Sequence, residues 1–203
     1  MINLPAEIFK AYDIRGIVGK TVTIEIVEAI GHSIGSSART RGLSSIAIGR
    51  DGRLSGPELS QALARGIQKS GVDVIDIGMV ATPVLYYAAH ELCNYSGVMV
   101  TGSHNPPEYN GFKIVLGGET LAAGTIQDLR INYENGNLTH GSGGYSQQDI
   151  RQTYLDRIVG DLKLTRPLKI VVDSGNGVAG DLAPELYRRL GCDVIGDRLD
   201  QKE

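Results

Sequence analysis

The sequence predicts an α/β fold, a mixed and mostly parallel sheet covered by helices, followed by an incomplete second α/β unit. Two observations carry this. Short apolar runs that read as strands alternate with segments whose apolar residues recur at helical spacing, and such alternation lays strands side by side with helices crossing between them. The pair Asn110-Gly111 stands as a turn signal just before the run Phe112 to Leu116, which predicts an antiparallel return and makes the sheet mixed.

Each element follows from its own pattern. Ile26, Val27, Ile30, Ile34 and Ala38 recur at helical spacing between Val22 and Arg41, and Gly42 supplies the stop. Ser45 to Gly49 reads as a short buried strand. Ser55, Pro57 and Glu58 then predict a helix start with serine and glutamate in capping-box spacing, and Leu59, Leu63 and Ile67 form its apolar face. Val72 to Ile77 is the next strand, Thr82-Pro83 opens a helix reaching Leu92, and Gly97 to Val100 is a strand again.

Residues 134–148 are rich in Gly, Ser, Asn and Gln, which predicts a surface linker. Beyond it Ile150 to Val159 reads as a helix and Leu168 to Asp173 as a strand. A glycine-containing turn at Ser174 to Gly177, a helix near Leu182 to Leu190 and a short strand near Val194 follow. A first domain over residues 1–148 and a partial second domain over 149–203 are therefore expected, because so few elements cannot complete a covered sheet. The unpaired strand edges of such a partial domain favour self-association.

Composition bounds the function. The chain has 203 residues, 41% hydrophobic and 21% charged, enough to bury a core. A net charge of −3 with no basic stripe argues against a nucleic-acid partner. No run approaches the roughly 20 apolar residues of a membrane span, and Met1 to Lys10 has no signal-peptide pattern. A cytoplasmic protein with no membrane partner is expected. Cys93 and Cys192 lie far apart without metal-ligand spacing and read as reduced, packed thiols.

The chemistry concentrates in Thr101-Gly102-Ser103-His104-Asn105-Pro106-Pro107-Glu108-Tyr109-Asn110-Gly111, a loop between two strands. Gly102 allows a sharp turn beside Ser103, and Pro106 and Pro107 fix two φ angles and restrict Asn105. Ser103 is thereby set as a nucleophile or phosphate carrier, although viewed alone, without the rest of the run, it reads first as a plain turn serine. A serine hydrolase is excluded, because the Gly-x-Ser-x-Gly elbow is absent.

This loop is similar to the active-site serine loop of the phosphohexomutases. Four further stretches carry the resemblance in the family's order: Phe9-Lys10-Ala11-Tyr12-Asp13-Ile14-Arg15-Gly16, Gly49-Arg50-Asp51-Gly52-Arg53-Leu54-Ser55-Gly56, Thr82-Pro83-Val84-Leu85-Tyr86-Tyr87 and Val171-Val172-Asp173-Ser174-Gly175-Asn176-Gly177. On these motifs the chain resembles the amino-terminal part of the bacterial phosphomannomutase/phosphoglucomutase family, up to Ile195; Gly196 to Glu203 departs from it. The family fold is four domains around a cleft, so the resemblance implies the first domain and part of the second.

The resemblance implies an isomerase that interconverts hexose 1-phosphate and hexose 6-phosphate, of mannose and/or glucose, through a phosphoserine and a bisphosphate intermediate. Ser103 would be the phosphoryl carrier. Arg15 would supply positive charge, Lys113 proton transfer and His104 orientation or donation to phosphate. Tyr12 and Asn105, with Arg15, Ser103 and Lys113, would contact the hexose phosphate substrate. Each has a plainer alternative: Arg15 paired with Asp13, Tyr12 a packed loop aromatic, Lys113 a solvated strand lysine, His104 bonded to its own loop. Arg50, Asp51 and Arg53 read as an ion-pair cluster that supports the serine loop.

By the same resemblance Mg²⁺ would bind an oxygen of the Ser103 phosphate and an Asp-Gly-Asp-Gly-Asp-Arg loop, and hexose 1,6-bisphosphate would act as activator. That aspartate run does not occur in the chain, nor do the loops of the third and fourth domains. The chain is therefore expected to be a fragment that is inactive alone. The alternative is a non-catalytic module that binds a phosphosugar or a partner through the same loop.

Overall fold

The computed structural model describes residues 2–195. Helix α1 (Ile24–Thr40) starts where the Thr23 hydroxyl accepts the Ile26 N–H at 3.4 Å, satisfying one of the free amides of the first turn. Its buried face carries Val27, Ile30, Ile34 and Ala38, as the spacing predicts. Helix α2 (Gly56–Lys69) packs against it backbone to backbone. A Cβ on Gly66 would lie 2.1 Å from the Glu28 carbonyl oxygen, and one on Gly31 2.3 Å from that of Leu63, so glycine is required at this crossing.

The capping box expected at α2 does not form. Ser55 sits at φ −74°, ψ −13° and makes no capping bond; its hydroxyl instead accepts the side-chain N–H of Asn110 at 2.8 Å. Asn110 is fully buried, and a buried amide donor without an acceptor costs more than an unmade cap.

Strands β1 (Ile14–Ile17), β2 (Ser45–Arg50), β3 (Asp73–Met79), β4 (Gly97–Val100), β5 (Tyr109–Leu116), β6 (Glu119–Thr120) and β7 (Tyr145–Gln147) form one sheet in the order β1-β5-β4-β2-β3-β7, with β6 on β5. The run β4-β2-β3-β7 is parallel, whereas β5 runs antiparallel to both β4 and β1. The sheet is mixed, as expected, but not through an Asn110-Gly111 turn. Both residues lie inside β5, and residues 101–108 make the reversal. Gly111 serves close approach: a Cβ there would stand 2.0 Å from the Ile14 carbonyl oxygen.

The segment read as a linker is a strap that ends in sheet. Thr139 N–H donates to Ser36 Oγ at 3.0 Å, and the Gly141 and Gly143 amides donate to Lys69 and Gln68 carbonyls, each at 2.9 Å. β7 then pairs with β3, and the Tyr145 hydroxyl donates to Asp76 at 2.7 Å. Burial, with the Asp76 carboxylate beside it, holds the Tyr145 phenol above its ordinary pKa. β7 has no apolar alternation because all three residues are exposed and the pairing is through backbone. Strand β1 and helix α4 (Gly124–Glu134) were also not anticipated.

Two apolar layers cover the sheet. α1, α2 and α4 bury one face with Ile14, Ile48, Val98 and Phe112. On the other face helix α3 (Thr82–Leu92) packs over Ala47, Ile77 and Met99, joined by Ile150, by Leu155 of α5 (Arg151–Asp161) and by Leu182. The second unit adds α6 (Ala183–Arg189) and a two-stranded parallel sheet, β8 (Lys169–Val171) with β9 (Asp193–Ile195). The divergent tail Gly196 to Glu203 lies outside the described residues. Cys93 and Cys192 are free and buried, and burial pushes the Cys93 thiol up. Among the described residues no helix is long and apolar enough to cross a membrane.

Because Leu155 is 0% exposed within the layer that α3 builds over Ala47, Ile77 and Met99, α5 contributes to the core on that face of the sheet. Leu155→Ala should lower stability by about 2–4 kcal/mol, read as a fall in the urea midpoint monitored by circular dichroism.

Candidate active site

The loop between β4 and β5 has no ladder to occupy its carbonyls, and one side chain takes them instead. From the turn after β2, Arg53 Nη1 donates to the carbonyls of Pro106 at 2.7 Å and Tyr109 at 3.0 Å, and Nη2 to those of Asn105 at 2.6 Å and Ser103 at 3.1 Å. Asp51 holds the arginine, with Oδ2 3.4 Å from Nε and Oδ1 accepting the Arg53 N–H at 3.0 Å. The same carboxylate accepts the Thr101 hydroxyl at 2.7 Å and the Gly102 N–H at 3.3 Å. The expected supporting cluster is thus Asp51 with Arg53; Arg50 makes no ion pair among the described residues.

Gly102 has a different use from the one predicted. It is absent from the glycines at positive φ; the left-handed residue is Ser103 itself, at φ +54°. Such a conformation costs an L-residue about 1–2 kcal/mol, and the Ser103 N–H bond to Thr101 Oγ1 at 2.9 Å helps to hold it. Gly102 is needed because a Cβ there would stand 2.2 Å from Arg53 Cζ, and that guanidinium is fixed by its four carbonyls. Ser103 and His104 are exposed, with Ser103 Oγ 3.3 Å from His104 Nδ1.

A second group of charges approaches from β1. Arg15 pairs with Gly111 across β1 and β5, so Lys113, two residues farther on, lies diagonally on the same face. Arg15 donates through Nη1 to the Asn105 side-chain oxygen and through Nη2 to Asp13. Lys113 Nζ stands 3.8 Å from the same Asp13 carboxylate. The plain pairing of Arg15 with Asp13 is formed, and the same guanidinium bridges the buried carboxylate and the serine loop, with its Nε buried without a partner. Two cations against one carboxylate leave a local excess of one positive charge.

Asp13, Arg15 and Asn105 border a cleft of about 550 Å³ that Lys10, Tyr12 and Tyr109 also line, whereas Lys113, Ser103 and His104 are not among its lining residues. Tyr12 stands at its rim, 76% exposed, which excludes the packed-aromatic reading. Lys113 is only partly solvated, its side chain 32% exposed. The structure brings Arg15, Lys113 and Asn105 together around Asp13 and sets Ser103 two residues from Asn105. Asp13 is expected only as the plain partner of Arg15; its second cation, Lys113, comes from a distant strand that no local pattern joins to it. Thr101 is not singled out by the sequence reading, although a threonine hydroxyl commonly accepts the N–H two residues on.

Residues 6–138 match the family of phosphoglucomutase/phosphomannomutase, alpha/beta/alpha domain I. The chain belongs to the phosphoglucomutase/phosphomannomutase family. It is 56% identical over 193 residues to a phosphomannomutase/phosphoglucomutase of Pseudomonas aeruginosa, covering 95% of this chain and 42% of that protein. It is 51% identical to a phosphoglucomutase of Neisseria meningitidis, covering 97% and 45%. The solved structure of a phosphoglucomutase/phosphomannomutase family protein from Burkholderia thailandensis superposes with a TM-score of 0.90 at 50% identity, covering 97% of this chain and 44% of that one. The chain thus spans less than half the length of these phosphoglucomutase/phosphomannomutase relatives.

Asp13 is buried between two cations, so its removal leaves Arg15 without its acid partner. The Lys113 contact is long and solvent-screened and contributes little. Asp13→Ala should therefore cost about 1–3 kcal/mol, less in Asp13→Asn, whose side-chain oxygen still accepts from Arg15; urea titration of both variants checks the order.

Proposed function

We propose that the chain carries the phosphoserine domain of a hexose-phosphate mutase, with Ser103 as the phosphoryl carrier. Phosphoserine 103 transfers its phosphoryl group to the free hydroxyl of a hexose monophosphate: the bond from phosphorus to Ser103 Oγ breaks as one to the sugar oxygen forms, and the hydroxyl's proton ends on the released Ser103 Oγ. The bisphosphate turns round, and Ser103 Oγ takes the other phosphoryl group, so hexose 1-phosphate and 6-phosphate of glucose or mannose exchange. Phosphoryl transfer asks a protein mainly for positioning and for positive charge about the moving oxygens. The observation that supports this reading most is the exposed Ser103 hydroxyl on a backbone at φ +54° held by bonds to Thr101 in its own loop and to Arg53 from the turn after β2.

The remaining roles follow from position. Arg15, already in contact with the loop through Asn105, supplies charge to the phosphate and orients it. Lys113, on the same face of β5, handles the proton. His104, whose Nδ1 is 3.3 Å from the serine oxygen, donates to phosphate or to that oxygen. Tyr12 and Asn105 meet the substrate at the cleft.

A magnesium ion fits this reading chemically, as a hard cation on phosphate oxygens, but the described residues do not supply its cage. Among them no three His, Cys, Asp or Glu residues gather to hold a metal, and only the Ser103 phosphate would serve. Residues 1–203 by themselves are accordingly expected to turn over hexose phosphate weakly or not at all.

Incubation with glucose 1,6-bisphosphate followed by intact-mass and peptide mapping tests the proposal. A single added phosphate on Ser103, absent from Ser103→Ala, is expected. Binding of the sugar phosphate without any covalent addition would favour instead a non-catalytic phosphosugar-binding module.

A further inference from the structure

Resting on the reading of Ser103 as phosphoryl carrier, we propose that Thr101, Asp51 and Arg53 form with Ser103 a ring of three hydrogen bonds closed by one ion pair, that this ring sets the carrier's backbone, and that all three are positioning residues for phosphoryl transfer. The ring can be followed bond by bond. The Ser103 N–H donates to Thr101 Oγ1 at 2.9 Å, and the Thr101 hydroxyl donates to Asp51 Oδ2 at 2.7 Å. The same Oδ2 faces Arg53 Nε at 3.4 Å, and Arg53 Nη2 returns to the Ser103 carbonyl at 3.1 Å.

Both backbone polar groups of Ser103 are thereby fixed, leaving the side-chain hydroxyl outside the ring. This matters because φ +54° is a conformation that serine does not hold unaided. The polarity of the ring is also determined. Carboxylate oxygens only accept and a guanidinium only donates, so the threonine hydroxyl must give its hydrogen to Asp51 and offer its lone pair to Ser103. A residue with one donor and one acceptor on the same atom is required at position 101, and Thr101 is 7% exposed, so water has little access to replace it.

Thr101→Val keeps the shape and removes the hydroxyl; Thr101→Ser restores it. Arg53→Lys keeps the charge but cannot serve four carbonyls at once. Three readouts on the whole chain separate the outcomes: phosphate uptake by Ser103 from glucose 1,6-bisphosphate, the sign of Ser103 φ from backbone NMR shifts and couplings, and the urea midpoint. Thr101→Val and Arg53→Lys should lose the positive φ and slow phosphate uptake about a hundredfold, the scale of a misplaced reacting group. Thr101→Ser should take up phosphate at close to the wild-type rate, and the Thr101→Val urea midpoint should fall modestly, as the loss of a buried hydrogen bond requires, with the cooperative transition retained.

A Thr101→Val protein that keeps positive φ at Ser103, or that takes up phosphate as fast as wild type, overturns the ring. So does an Arg53→Lys protein with undiminished uptake. If wild type itself takes up no phosphate, the carrier reading fails on its own, and the φ measured in Thr101→Val still decides whether the ring holds the backbone.

Discussion

Carbonyl oxygens that leave a β-ladder need donors, and the loop at residues 101–108 meets that need with a single guanidinium. Arg53 reaches three of its carbonyls and that of Tyr109, where β5 begins, a task suited to the planar fork of arginine and not to the point charge of lysine. The arginine can be there because β2 lies next to β4 in the parallel part of the sheet. The chain leaving β2 at Arg50 therefore emerges beside the chain leaving β4 at Val100, and the Asp51 N–H bonds the Val100 carbonyl at 3.0 Å. Sheet order thus determines which side chain meets the serine loop.

The antiparallel edge adds the second half of the site. β5 returns beside β4 and accepts β1 on its far side, and Gly111 lets the β1 backbone come close enough to pair. Arg15 and Lys113 then share one face, with Asp13 between them. The two halves meet at Asn105, whose carbonyl is held by Arg53 and whose side-chain oxygen is held by Arg15. A buried carboxylate between two cations keeps them apart and aimed, at the cost of cancelling one of their charges. The site retains enough positive character to face an anion without gathering unpaired like charges in a half-buried cleft.

Support for this arrangement extends past the first unit. The face of the sheet opposite α1 and α2 is closed by α3 together with Ile150, Leu155 and Leu182, and Tyr87 of α3 stacks edge-to-face on Tyr154 of α5. Apolar area on a sheet must be covered wherever the covering residues come from. The compositional break in the strap before β7 marks a change in exposure and not the limit of the core.

The alternation of strands and helices, the faces of α1 and α2, the span of α3 and the serine loop with its family are all legible along the chain. They depend on period, stop signals and a contiguous motif, which are local properties. Folding alone places Asn110-Gly111 within a strand, turns Ser55 to Asn110 instead of its own helix, and brings residues 145–147 into the sheet. It also decides that Ser103, and not Gly102, takes the left-handed conformation. Each of these turns on a hydrogen bond or a close approach between residues distant along the chain, and a one-dimensional pattern carries no record of which unpaired donor will find which acceptor.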